Sequence, residues 1–508
     1  MNVSAILENN LVAGRANKIA LYDGNETWTY GVLVERANRM GNALKQLDVR
    51  ANERILLLLP DSAAFSICFF GATKVGAVPV PVNTMLTSSD YEYLLKDSDA
   101  RVLVVHHTLY YLIEPIRANC KALKHVLLIG AKGRPIDGTL GWEDCLEGES
   151  AELETVDRAS HDMAFWLYSS GSTGKPKGVV HAHGGMFSTS EHCGKQILKI
   201  GQNDICLSSS KLFHAYGLGN SMGFPFAVGA ATVLNPHLSL PDVLLELIGK
   251  FKPTLLFAIP KIYLSLIEFA EQGKAFDISS LRLCISSGEA LPADVYRRWS
   301  SFCGIELLDV LGSTELLHMF IANREGLVKA GSSGRVLSGY QARLVDDRGD
   351  TVPAGEIGDL VVTGPSAALG YWNQPEAGSK SFEEGWVVTG DKYCVDEDGY
   401  YWFRGRSNDV FKSNGIWISP IEVESVLDEH PSVKESAVVC VHDQSGLFRA
   451  KAYVVLQTGE LGTAELVQTL RKFVKRRLPQ RSPDYIDFVG DLPKTATGKI
   501  QRYKLRGE

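Results

Sequence analysis

The stretch Tyr168-Ser169-Ser170-Gly171-Ser172-Thr173-Gly174-Lys175-Pro176-Lys177-Gly178 packs three glycines, three serines, a threonine and two lysines into eleven residues. Its chemistry suits a polyphosphate. Glycine lets backbone N–H groups turn toward an anion. Hydroxyls donate short hydrogen bonds to phosphate oxygens, and lysines supply point charge. A P-loop would need Gly-x-x-x-x-Gly-Lys-Ser/Thr opening a helix. Here Pro176 follows Lys175, and β-branched Val179 and Val180 follow Gly178. With the apolar run 163–167 ahead of it, the pattern predicts strand, loop, strand, with no helix dipole at the anion. The plain alternative is a surface turn of small polar residues.

Other polar clusters fall just after short apolar runs. Ser287-Gly288-Glu289 follows the run 281–286, and Leu311-Gly312-Ser313-Thr314-Glu315 follows 306–310. If those runs are parallel strands, the clusters lie at the carboxyl edge of a sheet, where ligands bind.

The elements that would carry these clusters alternate. Leu33, Ala37, Met40, Leu44 and Leu47 share one helical face. Strands are predicted at 55–59, 76–82, 102–105, 126–129, 230–234 and 254–259, with helices at 63–75, 91–96 and 240–250. This is the pattern of an α/β layered domain with mostly parallel sheet. From about 331 to 405, short strands alternate with turns such as Asp347-Arg348-Gly349, predicting a β-rich subdomain. Ser419-Pro420-Ile421-Glu422 reads as a capping box with proline at the first helical position. The residues after it predict a compact α+β unit, with a boundary near 407–409. The fold expected is α/β: a large N-terminal domain of layered sheets with a β-rich subdomain, and a small C-terminal domain.

Composition excludes several classes. The 508 residues are 45% hydrophobic and 22% charged, with a net charge of −7. No global basic field exists to attract nucleic acid or an anionic membrane. Nine scattered cysteines without a C-x-x-C point to a reducing compartment. No signal pattern and no bilayer-length apolar run is visible, so a cytoplasmic protein is expected.

Five motifs in order resemble the adenylate-forming acyl-CoA synthetases over nearly the whole length. They are the glycine-rich loop, Gly312-Ser313-Thr314-Glu315, Trp386-Val387-Val388-Thr389-Gly390-Asp391, Gly405-Arg406-Ser407-Asn408-Asp409, and Pro493-Lys494-Thr495-Ala496-Thr497-Gly498-Lys499. Three further stretches resemble the benzoate-CoA and 4-hydroxybenzoate-CoA ligases: 212–220, 313–318 and 499–502. The resemblance implies two half-reactions. A carboxylate attacks the α-phosphate of ATP to give acyl-AMP and pyrophosphate, and the thiol of coenzyme A then displaces AMP. The first step sets two anions together, so it needs charge and positioning.

The resemblance also implies roles. Ser169, Ser170, Gly171, Ser172, Thr173, Gly174 and Lys177 would cradle the phosphates. Thr173 and Glu315 would be the magnesium-associated pair; Glu315 could equally be an acid favoured at a helix N-terminus. Asp391 would take the ribose hydroxyls, and Arg406 the ribose or α-phosphate side unless it forms a salt bridge. Ser287, Gly288, Glu289, Asp309, Val310 and Leu311 would wall the adenine site, and Gly312, Ser313 and Thr314 would also contact the nucleotide. Lys499 would bridge the carboxylate and the α-phosphate; its bland reading is an exposed tail lysine. The division implied is 1–407 and a mobile 409–508, pivoting at Asn408, where the family usually has aspartate.

For the acid, the resemblance points to Ala215, Tyr216, Ser287, Gly288, Gly312, His318 and Met319, with His214 as the gate. His318 could instead be a structural histidine. Ser287 and Met319 stand where many relatives have alanine and isoleucine, and the Ser287 hydroxyl hints at a polar ring substituent. Arg471, Lys472, Lys475, Arg476 and Arg477 read as a solvated face, or as a contact for a coenzyme A phosphate. The reading is an aryl-CoA ligase using ATP, Mg2+ and coenzyme A on benzoate or a hydroxy- or aminobenzoate, as a monomer or homodimer. The rivals are an adenylating enzyme that loads a carrier protein and a nucleotide-binding module without turnover.

Overall fold

The computed structural model describes residues 1–131, 136–169, 175–413, 416–443, 447–494 and 500–506. Packing divides the chain into two units. One is Met1–Gln341 with Thr363–Val387; the other is Ala342–Val362 with Val388–Glu508.

In the first unit, a five-stranded parallel sheet runs in the order Val78–Pro81, Arg54–Leu58, Val102–His106, His125–Ile129, Leu140–Gly141. Helix Tyr30–Gln46 is capped by Thr29, whose side chain accepts from the Val32 N–H at 3.3 Å. Its buried Leu33, Ala37, Met40 and Leu44 share the core with Phe65, Phe69 and Phe70 of helix Ala63–Lys74. Full burial of each such Leu or Phe stabilises the fold by about 1.5–3 kcal/mol. A Cβ on Gly71 would lie 2.9 Å from the Ala37 carbonyl oxygen. Glycine there lets the two helices meet at backbone distance.

The nine-stranded sheet carries the site. Its parallel strands are, in order, Leu307–Gly312, Leu283–Ser286, Leu255–Ala258, Ile205–Ser208, Ala231–Leu234 and Ile19–Asp23. Antiparallel strands flank them, Met319–Ala322 and then the edge strand Arg335–Val336 on one side and Glu26–Thr29 on the other. The clusters at 287–289 and 312–315 therefore stand where parallel strands end, as their spacing predicts. A third sheet pairs Gly370–Tyr371, Lys177–Ala182 and Met163–Ser169, all antiparallel.

The second unit is built largely from the strands Gln341–Val345, Gly358–Thr363, Trp386–Val395 and Tyr401–Arg406, and from a C-terminal sheet Val433–His442, Phe448–Leu456, Tyr485–Phe488. Helices Pro420–Asp428 and Ala464–Arg477 cover that sheet through Val423, Leu427, Leu470 and Val474. This division by packing falls earlier in the chain than the boundary expected at Asn408, because residues 342–362 and 388–406 group with the C-terminal residues. Ser419 caps its helix, accepting from the Glu422 N–H at 3.3 Å. The reciprocal half of the capping box is replaced. The Glu422 carboxylate pairs with Arg404 and, at 2.6 Å, with Arg481. An ion pair with two guanidiniums outcompetes a bond to one backbone N–H.

All nine cysteines are free. Among the described residues no helix is long and apolar enough to cross a membrane.

Candidate active site

The glycine-rich stretch opens from a hairpin. Strands Met163–Ser169 and Lys177–Ala182 pair with Ser169 opposite Lys177 and Tyr168 opposite Gly178. Ser170, Gly171, Ser172, Thr173 and Gly174 lie outside the described residues. Both flanks are anchored. The Tyr168 hydroxyl donates to Asp97 Oδ2 at 2.7 Å, and the Tyr93 hydroxyl donates to the Pro176 carbonyl at 3.0 Å. Lys175 Nζ lies 5.2 Å from the Tyr93 ring centroid. Lys177 Nζ lies 4.9 Å from that of Tyr371.

At the edge of the nine-stranded sheet, Ser286 faces Asp309 in register. The Ser287 hydroxyl donates to the Val310 carbonyl at 2.9 Å. Its proton is therefore committed to the main chain, and only lone pairs remain for a ligand. Gly288 follows at φ +86°, where a side chain is strained. Glu289 is half-buried. Asp309 is 4% exposed, and its Oδ1 has no hydrogen-bond partner among the described residues. Burial pushes its carboxyl well above the usual range. A buried oxygen without a donor is costly unless a ligand supplies one.

Beyond Val310, Leu311 and Gly312 the chain turns sharply. Ser313 caps the turn Thr314–Leu316, accepting from the Leu316 N–H at 3.3 Å. Leu317 sits at φ +65°, and the His318 N–H donates to the Leu316 carbonyl at 2.7 Å. This γ-type turn is strained for leucine. It folds His318 and Met319 back against the strand they left, with Met319 opposite Gly312. Glu315 is gripped twice: its carbonyl accepts from the Ala368 N–H at 2.8 Å, and its Oε1 accepts from the Tyr371 hydroxyl at 3.0 Å.

His214 is the exposed residue preceding helix Ala215–Leu218, its ring 4.6 Å from that of Phe213. Ala215 is buried. The Tyr216 hydroxyl donates to the Ile285 carbonyl at 3.1 Å. Tyr216 and Phe224 flank His318, with ring centroids 5.5 and 4.5 Å away. Met319 is 1% exposed. Tyr216 meets His318, and Met319 pairs with Gly312, so these four residues form one connected group; Ser287 is tied instead to Val310, two residues before Gly312.

Sequence reasoning missed three residues here. Asn220 accepts from His318. Tyr371 grips Glu315. Asp61, also 4% exposed, accepts from the Leu212 N–H at 2.9 Å and lies 3.8 Å from Lys211 Nζ. It fixes the segment that leads into His214, and burial pushes its carboxyl up to about 6.

In the second unit, Asp391 and Arg406 face each other on paired strands, and Arg406 Nη1 lies 3.0 Å from Asp391 Oδ1. Arg406 is thus engaged in the salt bridge named as its alternative. Lys499 lies outside the described residues. On either side of its segment, Lys494 and Ile500 form an antiparallel bridge, and Lys494 pairs with Glu435 at 2.7 Å. In the basic tract, Arg477 pairs with Glu429 at 3.2 Å.

A fold with these clusters at the sheet edge matches the AMP-binding enzyme family over residues 8–372 and the AMP-binding enzyme C-terminal domain over 422–499. The chain belongs to this family. It is 43% identical to a benzoate–CoA ligase of Thauera aromatica, over 99% of this chain and 94% of the relative. Its fold superposes on the anthranilate CoA ligase AuaEII in complex with anthranoyl-AMP with a TM-score of 0.92 and 42% identity, covering 100% of this chain and 97% of that one. A benzoate CoA ligase from Burkholderia xenovorans LB400 follows, with a TM-score of 0.87 and 39% identity over the full length of both chains.

Proposed function

We propose that the chain is an ATP-dependent aryl-CoA ligase. It activates benzoate, or a hydroxy- or aminobenzoate, as the acyl-AMP with release of pyrophosphate, then transfers the acyl group to coenzyme A. The observation that supports this most is the turn 312–319. One short segment bears Glu315 on its phosphate side and His318 with Met319 on its acid side, so nucleotide and carboxylate meet across it.

The residues divide the work. Lys177, with the serines and glycines before it, balances the charge of the β- and γ-phosphates. Asp309 Oδ1 is a ready acceptor for an exocyclic amine of the base. Glu315 supplies an oxygen donor that suits a hard dication, with Thr173 as its partner. A Mg2+ held by them would supply the positive charge that offsets the pyrophosphate leaving group. Asp391 accepts from the ribose hydroxyls once Arg406 shifts to the phosphate side. Lys499 brings its ammonium between the carboxylate and the α-phosphate. We place the pivot that withdraws Lys499 before thioester formation at Asn408.

His318 and Ser287 refine the acid. Ser287 offers a lone pair only, and His318 Nδ1 is an acceptor with no donor among the described residues. A ring substituent that donates, hydroxyl or amine, matches both. Nine free cysteines, with ATP and coenzyme A as substrates, support a cytoplasmic enzyme.

The test is pyrophosphate release with a panel of benzoates and aliphatic acids, with and without coenzyme A. Benzoates should release pyrophosphate, and thioester should form with free coenzyme A alone. Equal turnover of long fatty acids would overturn the aryl assignment. Failure to use free coenzyme A would favour loading of a carrier protein.

A further inference from the structure

Tyr371 is the residue through which the two phosphate-side groups of the first unit meet. Its backbone is fixed on both sides against the second strand of the hairpin. The Leu369 N–H donates to the Val180 carbonyl and the Trp372 N–H to the Gly178 carbonyl, both at 2.8 Å. Tyr371 lies opposite Val179, two residues from Lys177. Its ring packs edge-on against Phe382, with centroids 5.3 Å apart. The hydroxyl reaches Glu315 Oε1 at 3.0 Å, while the ring face takes the Lys177 ammonium at 4.9 Å. A phenol is protonated at neutral pH and a carboxylate only accepts, so the Tyr371 hydroxyl is the donor. Glu315 Oε2 has no hydrogen bond among the described residues.

We propose that Tyr371 is a positioning residue for the metal and phosphate side of the site. Its hydroxyl orients the Glu315 carboxylate through Oε1 and leaves Oε2 for a divalent cation. Its ring holds Lys177 at the foot of the glycine-rich stretch. One side chain thus sets the spacing between an anionic metal ligand and a cationic phosphate ligand, which left alone would pair with each other. The inference rests on the reading of the chain as an ATP- and Mg2+-using ligase.

The ring and the hydroxyl can be separated. Tyr371→Phe keeps the packing on Phe382 and the ring face under Lys177, and removes only the donor. Tyr371→Leu removes both. The probe is Mn2+ binding, read by electron paramagnetic resonance, to enzyme carrying α,β-methylene-ATP. It is compared with binding of the same analogue without metal and with thioester formation from supplied benzoyl-AMP. A hydrogen bond to a charged group predicts that Tyr371→Phe weakens Mn2+ binding about tenfold. Metal-free analogue affinity and thioester formation should be unchanged in that variant. Tyr371→Leu should weaken metal-free analogue binding as well. Unchanged Mn2+ affinity in Tyr371→Phe overturns the role of the hydroxyl, and so does an equal loss of metal-free affinity. Unchanged analogue affinity in Tyr371→Leu overturns the role of the ring. Pyrophosphate release by the wild-type enzyme tests the underlying reading separately, since a wild type inactive on every benzoate would sink that reading whatever the variants bind.

Discussion

His318 Nε2 lies 3.1 Å from Asn220 Oδ1 and 3.3 Å from the Tyr216 carbonyl. Both are acceptors, so Nε2 carries the proton. Asn220 Nδ2 faces Ser208 Oγ at 3.4 Å, consistent with that amide orientation. Burial pushes the imidazole down to about 3, so it is neutral at physiological pH. Nδ1 is left as a bare acceptor without a partner among the described residues. This histidine is therefore both structural, through Nε2, and available to a ligand, through Nδ1.

That duality predicts the effect of His318→Phe, which keeps a flat ring but removes the Nδ1 acceptor together with the Nε2 donor to Asn220 and the Tyr216 carbonyl. The kcat/KM preference for a donor-bearing benzoate over benzoate should fall about tenfold, the scale of a lost buried hydrogen bond. An unchanged ratio would show that Nδ1 does not touch the substrate.

Gly219 backs the same ring. A Cβ there would lie 2.2 Å from His318 Cδ2, although the backbone, at φ −63°, accepts any residue. Gly219→Ala should push the imidazole toward the acid pocket. The KM for the acid should rise about tenfold or more, while the KM for ATP stays as in wild type. Equal rises in both would point to general unfolding of the sheet edge.

Asp61 gives a pH signature. Its folded pKa is raised from the ordinary 3.8 to about 6, chiefly by burial, with Lys211 opposing and Asp23 adding. A raised pKa means that the folded state binds the extra proton. The stabilisation is full below about 4 and is lost as pH rises through about 6. Asp61→Asn keeps an acceptor for the Leu212 N–H and removes the titration. Between pH 4 and 7 the variant should gain about 2–3 kcal/mol relative to wild type in urea unfolding. A constant difference across that range would contradict the shift.

Lys499→Ala should abolish pyrophosphate release and spare thioester formation from supplied acyl-AMP. Loss of both steps would contradict a lysine that serves one half-reaction only.

The legibility of the site followed the range of the interactions. The hairpin around 168–178 could be read because Pro176 and the β-branched Val179 and Val180 oppose a helix locally. The sheet-edge clusters could be read because strand length and polarity change within a few residues. Ser419 was legible as a cap, but the fate of Glu422 was not, since Arg404 and Arg481 lie 18 and 59 residues away in sequence. Tyr371 belongs to a two-residue strand with no periodicity, and its partner Glu315 is 56 residues distant. Asp61, between Pro60 and Ser62, looks like a turn residue until its 151-residue contact with Leu212 is seen. The Ser287 hydroxyl looked free for a ligand because its acceptor, the Val310 carbonyl, belongs to the neighbouring strand.

The central claim is attack by an aryl carboxylate on the α-phosphate. It is tested most directly by turnover of carboxyl-oxygen-18 benzoate with ATP and coenzyme A, followed by mass spectrometry of the products. One labelled oxygen should appear in AMP and none in pyrophosphate. Label in inorganic phosphate with formation of ADP, or unlabelled AMP beside benzoyl-CoA, would contradict it.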